Sequence, residues 1–207
     1  LLPMTVIVAT VFSGSFDVWH HLAETVLWDY LSNSLLLLLG VGAGVLIIGV
    51  PAAWLVSVCD FPGRKFFSWA LLLPLSMPAY IIAYTYTGLL DFAGPVQSIL
   101  RDITGWQYGE YWFFNIRSLP GAIIMLTLVL YPYVYLLARA AFLEQSPSIL
   151  EVGRTMGYGN RLGMLRLALP MARPAIVTGL TLALMETLAD YGTVQYFGVS
   201  TFTTGIF

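Results

Sequence analysis

The amino-acid sequence predicts an all-α fold, a polytopic transmembrane helix bundle, and three observations carry that expectation. Charged residues make up 10% of the 207 residues and hydrophobic ones 58%, whereas soluble domains are about a quarter charged, and mean hydropathy is +0.82. Apolar stretches of the roughly 20 residues that a helix needs to cross about 30 Å of hydrocarbon occur at 34–58, 66–90, 119–142 and 169–189. Lysine and arginine gather in alternate connections between those stretches. A formal net charge of -2, with no basic run, argues against a nucleic-acid partner. The single cysteine, Cys59, excludes an internal disulfide and a thiolate metal site.

Taken in order, residues 1–12 are too short to span and predict the end of a first crossing. A cleaved signal peptide fits less well, because Pro3 interrupts the stretch and no basic segment precedes it. The segment SFDVWHHLAETVLWDYLSNSL places Phe16, Trp19, Val26, Leu27 and Tyr30 near helical spacing, which predicts an interfacial helix leading into Ser32-Asn33-Ser34 as the cap of the next span. His20 and His21 are adjacent, so on a helix they point about 100° apart and are better placed as interface residues than as joint ligands. In 34–58, Gly40, Gly44, Gly49 and Ala53 recur at four- and five-residue steps, a surface on which another helix backbone can lie close. Pro74 and Pro78 predict a bend within 66–90. Residues 91–118 mix Gly94-Pro95, Gly105, Trp106 and Trp112 with scattered charge and predict a short surface helix plus turns. The tail, 197–207, approaches or begins a further span. The chain opens on Leu1 and closes on Phe207 within an apolar stretch, and is expected to be one transmembrane domain, 1–207, of a longer polypeptide.

Orientation follows from the cations. Arg64, Lys65, Arg139, Arg154, Arg161, Arg166 and Arg173, seven of the nine, fall on one side, with only Arg101 and Arg117 on the other. The rich side is expected to be cytoplasmic.

That side also holds EVGRTMGYGNRLGMLRLALP, residues 151–170, the most charged and glycine-punctuated stretch of the chain. Ser146-Pro147-Ser148 can start a helix, and Gly157 and Gly159 offer positive-φ positions that end it. Asn160 can cap a second helix over 161–167, with Leu162 and Leu165 toward lipid or protein and Arg161 and Arg166 toward water. Pro170 and Pro174 then suit the first turns of the next span. The spacing resembles the EAA loop of the permease subunits of bacterial ABC importers: E-A-A, three residues, G, nine residues, I, one residue, L-P. Glu151, Val152 and Gly153 stand at the first three positions, Gly157 at the glycine, Leu167 at the isoleucine and Leu169-Pro170 at the end. Val152 and Gly153 depart from the two alanines, and Gly153 within a helix costs about 1 kcal/mol against alanine. Residues 171–207 and much of the chain from Ser32 onward are similar to the ferric iron permeases of the type I importer group, in which one polypeptide carries two homologous halves, and resemble the first half.

The resemblance implies a type I importer permease fold with a cytoplasmic coupling loop over about 146–170, in the inner membrane. It implies cytoplasmic ABC ATPase subunits gripping Glu151, Val152, Gly153, Arg154 and Gly157, a periplasmic substrate-binding protein, a second permease half or subunit, and surrounding lipid. ATP and magnesium belong to the ATPase, and this chain is expected to bind no cofactor or resident metal and to perform no chemistry. Glu186 and Asp190 lie one turn apart near the outer end of the fifth span. A mid-membrane aspartate costs about 2.5 to 3.5 kcal/mol on insertion scales, so the pair either lines the pathway with Tyr191 and attracts a cation, or sits at the interface bonded to loop residues. Tyr84, Tyr86 and Tyr191 could ligate iron, although tyrosines at that depth are ordinarily anchors. Two rivals are an ion-coupled secondary transporter, which needs midplane carboxylates, and a scaffold whose loop docks another protein. Sulfate, thiamine and polyamine are rival importer substrates.

Overall fold

The computed structural model of the chain describes residues 26–107, 110–111, 113–145, 155, 157 and 160–206. Regular structure among the described residues is entirely helical: α1 (Leu27–Val58), α2 (Arg64–Ala70), a 3₁₀ turn (Leu73–Ser76), α3 (Ala79–Leu90), α4 (Pro95–Thr104), α5 (Leu119–Glu144), α6 (Asn160–Gly163), a π turn (Met164–Ala168), α7 (Leu169–Ala189), α8 (Gly192–Tyr196) and α9 (Phe202–Ile206). The span expected over 1–12, the histidine pair and the aromatic residues Phe16 and Trp19 lie outside the described residues. Helices α1 and α5 and the run Leu165–Ala189 are each long and apolar enough to cross a membrane, and a fourth crossing is available if the bent pair Arg64–Ser76 and Ala79–Thr104 counts as one.

Helix α1 begins at Leu27, so Ser32-Asn33-Ser34 lie inside it and do not cap it as expected. Ser32 Oγ donates to the Asp29 carbonyl of its own helix at 3.1 Å, and the other two side chains reach sideways. Asn33 Nδ2 donates to the Ser200 carbonyl at 3.0 Å, and Ser34 Oγ accepts from the Phe202 amide at 2.9 Å. With these polar groups used on a distant segment, the α1 backbone keeps its own ladder and runs on without a break.

The 66–90 stretch also differs from expectation. It is broken rather than bent, and its halves meet at 97°. The cause is local: a residue before proline is pushed out of the helical region, and Met77 is extended at ψ 138 with Pro78 at ψ 142. Helix α3 therefore restarts at Ala79 as an independent element. Helix α4 is the surface helix expected in the outer connection, held by Gln97 Nε2 donating to the Leu90 carbonyl at 2.8 Å.

Helix α5 is the centre of the bundle. In its most apolar window 67% of residues are buried, against 33% in α1 and 28% in the run that ends in α7. It lies between those two helices, and glycines set the distance on both sides. A Cβ at Gly44 would stand 2.5 Å from Thr127 Oγ1, and one at Gly49 would stand 3.0 Å from the Tyr131 carbonyl oxygen. Across the helix, a Cβ at Gly179 of α7 would meet Val134 Cα at 2.8 Å. The small-residue surface of 34–58 is thus a packing surface for α5. On a third side, Tyr131 and Tyr135 donate their hydroxyls to the carbonyls of Leu71 and Ser68, each at 2.9 Å. These bonds hold α2 and the turn after it, where the broken segment has few partners of its own.

Large apolar side chains remain exposed on the outer faces of α1 and α7, among them Leu39, Ile47, Val177 and Met185. In a bilayer such faces meet lipid or neighbouring helices.

Because the Gly179 contact is with backbone, no rotamer change relieves it. Gly179→Leu is expected to lower the stability of the detergent-solubilised protein by about 1 to 3 kcal/mol through overpacking. Gly88→Ala, where nothing lies within 4 Å of the added Cβ, is expected to raise it by up to about 1 kcal/mol through helix propensity. Thermal unfolding of the two variants in parallel checks the contrast, and equal melting temperatures would contradict the close crossing.

Candidate functional site

The two ends of the bundle are chemically distinct. One collects the end of α1, the start of α2, the end of α5 and the start of α7, and with them Arg64, Lys65, Arg139, Arg166 and Arg173. The other collects the start of α1, the ends of α3 and α7 and the start of α5. The alternation expected for the cations is present in the fold.

At the cation-rich end, Gly157 has φ +78 in a turn, a conformation that L side chains rarely adopt. Helix α6 starts three residues later at Asn160. Pro170 stands in the first turn of α7, as expected, and α6, the π turn and α7 follow one another as one helical run. Pro170 supplies the reason, since in a regular α-helix its ring would press on the carbonyl four residues earlier, and widening that turn to π geometry gives it room. Leu167, Leu169 and Pro170 are half-buried on this run, and Leu162 and Leu165 are exposed. Ala168 is fully buried, and its carbonyl accepts from Gln145 Nε2 at 2.9 Å, tying the start of α7 to the end of α5. Glu151, Val152, Gly153 and Arg154 lie outside the described residues.

At the opposite end, α7 stops at Ala189 and Asp190 turns the chain. Its Oδ1 accepts from the Thr193 amide and its Oδ2 from the Thr193 hydroxyl, both at 2.7 Å. The carboxylate therefore starts α8, with Thr193 buried beneath it. Glu186, one turn earlier, is exposed, as is Tyr191. Helix α8 brings Tyr196 against Tyr84, with ring centroids 5.8 Å apart, and the Arg117 guanidinium lies 5.5 Å from the Tyr196 ring centroid. Arg117 also pairs with Asp91 at 3.3 Å. Two adjoining clefts of about 320 and 400 Å³ share Tyr84 and Tyr196; Tyr80 and Gly192 line the first, Asp91 and Arg117 the second. Tyr86 is exposed on α3 and lines neither of them. This mouth offers phenol hydroxyls, a carboxylate and a guanidinium, groups able to meet either a metal cation or an oxyanion. Sequence reasoning missed Tyr80, Asp91, Arg117 and Tyr196 as members. The available signal was Arg117 itself, one of only two cations on its side of the chain.

Comparison with known proteins identifies the architecture. The family model described as binding-protein-dependent transport system inner membrane component matches residues 4–206. The chain belongs to that family. As a permease of this kind it is similar to the Fe(3+)-transport system permease protein FbpB 2 of Haemophilus influenzae, with 27% identity over 179 residues, 86% of this chain and 31% of that one. It is similar also to the molybdenum transport system permease protein ModB of Escherichia coli, with 26% identity over 144 residues, 70% of this chain and 60% of that one. A probable sulfate transport system permease protein of Chlorokybus atmophyticus is 24% identical over 198 residues, 94% of this chain and 65% of that one. The permease domain thus spans about a third to two thirds of the length of these relatives. Among solved structures, an inward-facing MetNI methionine ABC transporter matches with TM-score 0.61 at 20% identity, over 87% of this chain and 80% of that chain. The fold is that of a type I ABC importer permease, and the family is one of inner-membrane components.

The capping geometry assigns Asp190 a measurable share of stability. Asp190→Ala is expected to cost about 1 kcal/mol through loss of the cap, and Asp190→Asn only a few tenths, because an amide oxygen still accepts from the Thr193 amide. Thermal unfolding of both variants checks this, and equal losses for Asn and Ala would show that the carboxylate charge matters rather than the cap.

Proposed function

We propose that this chain is the first half of the permease of an ATP-driven, binding-protein-dependent importer of ferric iron. The segment 146–170 takes the force of cytoplasmic ABC ATPase subunits, a periplasmic binding protein delivers substrate at the opposite end, and a second permease half completes the pathway. Hydrolysis of ATP with magnesium belongs to the ATPase. The observation that carries the reading is the helical continuity from Asn160 through the π turn to Ala189, preceded by the positive-φ turn at Gly157. A push on a loop becomes displacement of a span only if the connection between them is stiff, and a continuous helix is the stiffest connection a chain has. Glu151 and Arg154 are suited to pair with ATPase charges, and the small residues at 153 and 157 to close docking. The bundle then converts the push into alternating access by rigid-body motion.

Iron rests on the likeness to the FbpB 2 permease over most of this chain. Glu186 and Tyr191 on the exposed outer end, with the tyrosines and Asp91 of the mouth, are suited to pass a hard cation. Arg117 favours a second reading, an oxyanion importer like those named for molybdenum and sulfate, because a guanidinium in the mouth attracts tetrahedral anions.

The coupling step is tested at Gly157. A β-branched residue held at positive φ costs about 1 to 2 kcal/mol, a factor of roughly 5 to 30 in the population of the docking-competent turn, and asparagine costs less. Gly157→Val is expected to lower ATP-driven uptake by about that factor, with Gly157→Asn closer to wild type. Full uptake by the valine variant would remove the coupling assignment. For substrate, binding-protein-dependent uptake of labelled ferric iron is compared with molybdate and sulfate in the full-length system. Iron is the expected cargo, and uptake of an oxyanion without iron transfers the assignment to the second reading.

A further inference from the structure

An open cleft of about 740 Å³ lies at the cation-rich end, lined by Phe61, Arg64, Lys65, Ser68, Arg139 and Leu143, with Asp60 at its edge. Its three cations are not equivalent. Arg64 is fully engaged: its Nε donates to the Val56 carbonyl at 2.6 Å, one terminal nitrogen to the Ser57 carbonyl at 2.7 Å, and the other pairs with Asp60 at 2.7 Å. It closes the C-terminal end of α1 and neutralises Asp60, the only carboxylate lining the cleft among the described residues. Lys65 and Arg139 have no ion pair among the described residues, and Arg139 Nε is buried without a hydrogen-bond partner. A buried guanidinium N–H with no acceptor is costly. Among the described residues the cleft therefore carries two positive charges without an ion pair and one unsatisfied donor, a setting suited to an anionic group.

The surroundings say where that acceptor comes from. Helix α2, whose first two residues are Arg64 and Lys65, exposes Phe66, Phe67 and Trp69 at 56%, 45% and 53%. Aromatic residues of this kind sit at the headgroup level of a bilayer, and the cleft opens where two spans, α1 and α5, end. Cationic pockets between spans on the cytoplasmic side are suited to anionic headgroups, and a guanidinium matches the geometry of phosphate oxygens.

We propose that this cleft binds the phosphate of an anionic phospholipid headgroup, with Arg139 and Lys65 as its ligands and the exposed aromatics of α2 against the acyl region. The lipid's phosphate pairs with the Arg139 guanidinium and the Lys65 ammonium and joins the ends of α1, α2 and α5. The orientation proposed above determines only which leaflet supplies the lipid.

The test is lipid retention by the full-length permease in detergent, measured by native mass spectrometry without nucleotide or substrate, so that failure of the transport reading leaves the result intact. Wild type is expected to retain phosphatidylglycerol over phosphatidylcholine by at least roughly tenfold, and removing both cations (Lys65→Gln with Arg139→Gln) to weaken phosphatidylglycerol retention by roughly thirtyfold. Arg173→Gln, an exposed cation at the same end, is expected to leave retention unchanged. Equal retention of the two lipids by wild type needs no variant and would overturn the proposal. So would an equal loss on Arg173→Gln, which would mean unspecific attraction. Displacement of the lipid by millimolar inorganic phosphate would assign the site to a soluble anion. Loss of ATPase co-purification in the double variant, with lipid retention intact, would make the cleft a protein contact instead.

Discussion

One turn of α5, Tyr131 to Tyr135, is the constraint on which the rest of the bundle depends. Its backbone is met by Gly49 of α1 on one side and by Gly179 of α7 on the other, while its two tyrosine hydroxyls hold the carbonyls of Ser68 and Leu71. The same turn contains Pro132, fully buried, whose ring removes one rung of the α5 ladder. A weakened turn is tolerated there because three neighbours hold it. Without hydrophobic attraction between helices in lipid, close van der Waals packing and interhelical hydrogen bonds are what association relies on, and this turn has both.

The arrangement couples the ends. Helix α7 is fixed to α5 at Gly179 in mid-span and again at its start, where Gln145 reaches the Ala168 carbonyl. A displacement of the 157–168 region must move α7 as a unit or strain the Gln145 bond, because the helical run continues unbroken through Pro170 and Pro174. The π turn is the least regular point of that run and hence the place where a small rotation costs least. At the other end, α7 is followed at once by Asp190, α8 and the mouth residue Tyr196. The connection from the start of α6 to the clefts lined by Tyr196 is thus a single continuous helical run plus one carboxylate cap.

Much of this was legible in the sequence. The spans at 119–142 and 169–189 were placed within two residues of α5 and α7, because Ser118 is a true cap for α5 and the apolar runs have sharp ends. The glycine surface of α1 was read correctly, since small residues at helical spacing have few other uses in a span. Two features were not legible. Ser32-Asn33-Ser34 has the composition of a cap, and only the distant residues Ser200 and Phe202 reveal that the Asn33 and Ser34 side chains are spent elsewhere. The mouth joins residues 84, 117 and 196, whose proximity follows from how α3, α5 and α8 pack and leaves no local pattern. The bonding of Asp190 to residues beyond α7 is one of the two alternatives its position allows, and Thr193 is the partner.

The cap at Asp190 bears on how a carboxylate at a membrane boundary should be weighed. An aspartate left bare near hydrocarbon is costly, and one expects it either to serve the pathway or to be neutralised by bonds. Both oxygens of Asp190 are bonded within its own turn, so its charge is already stabilised and its removal disturbs α8 and, through it, Tyr196. Glu186 is in the opposite position: exposed on the last turn of α7, with no ion pair among the described residues. Of the two carboxylates that sequence spacing grouped as a pair, Asp190 holds the start of α8, and Glu186 is left exposed on α7.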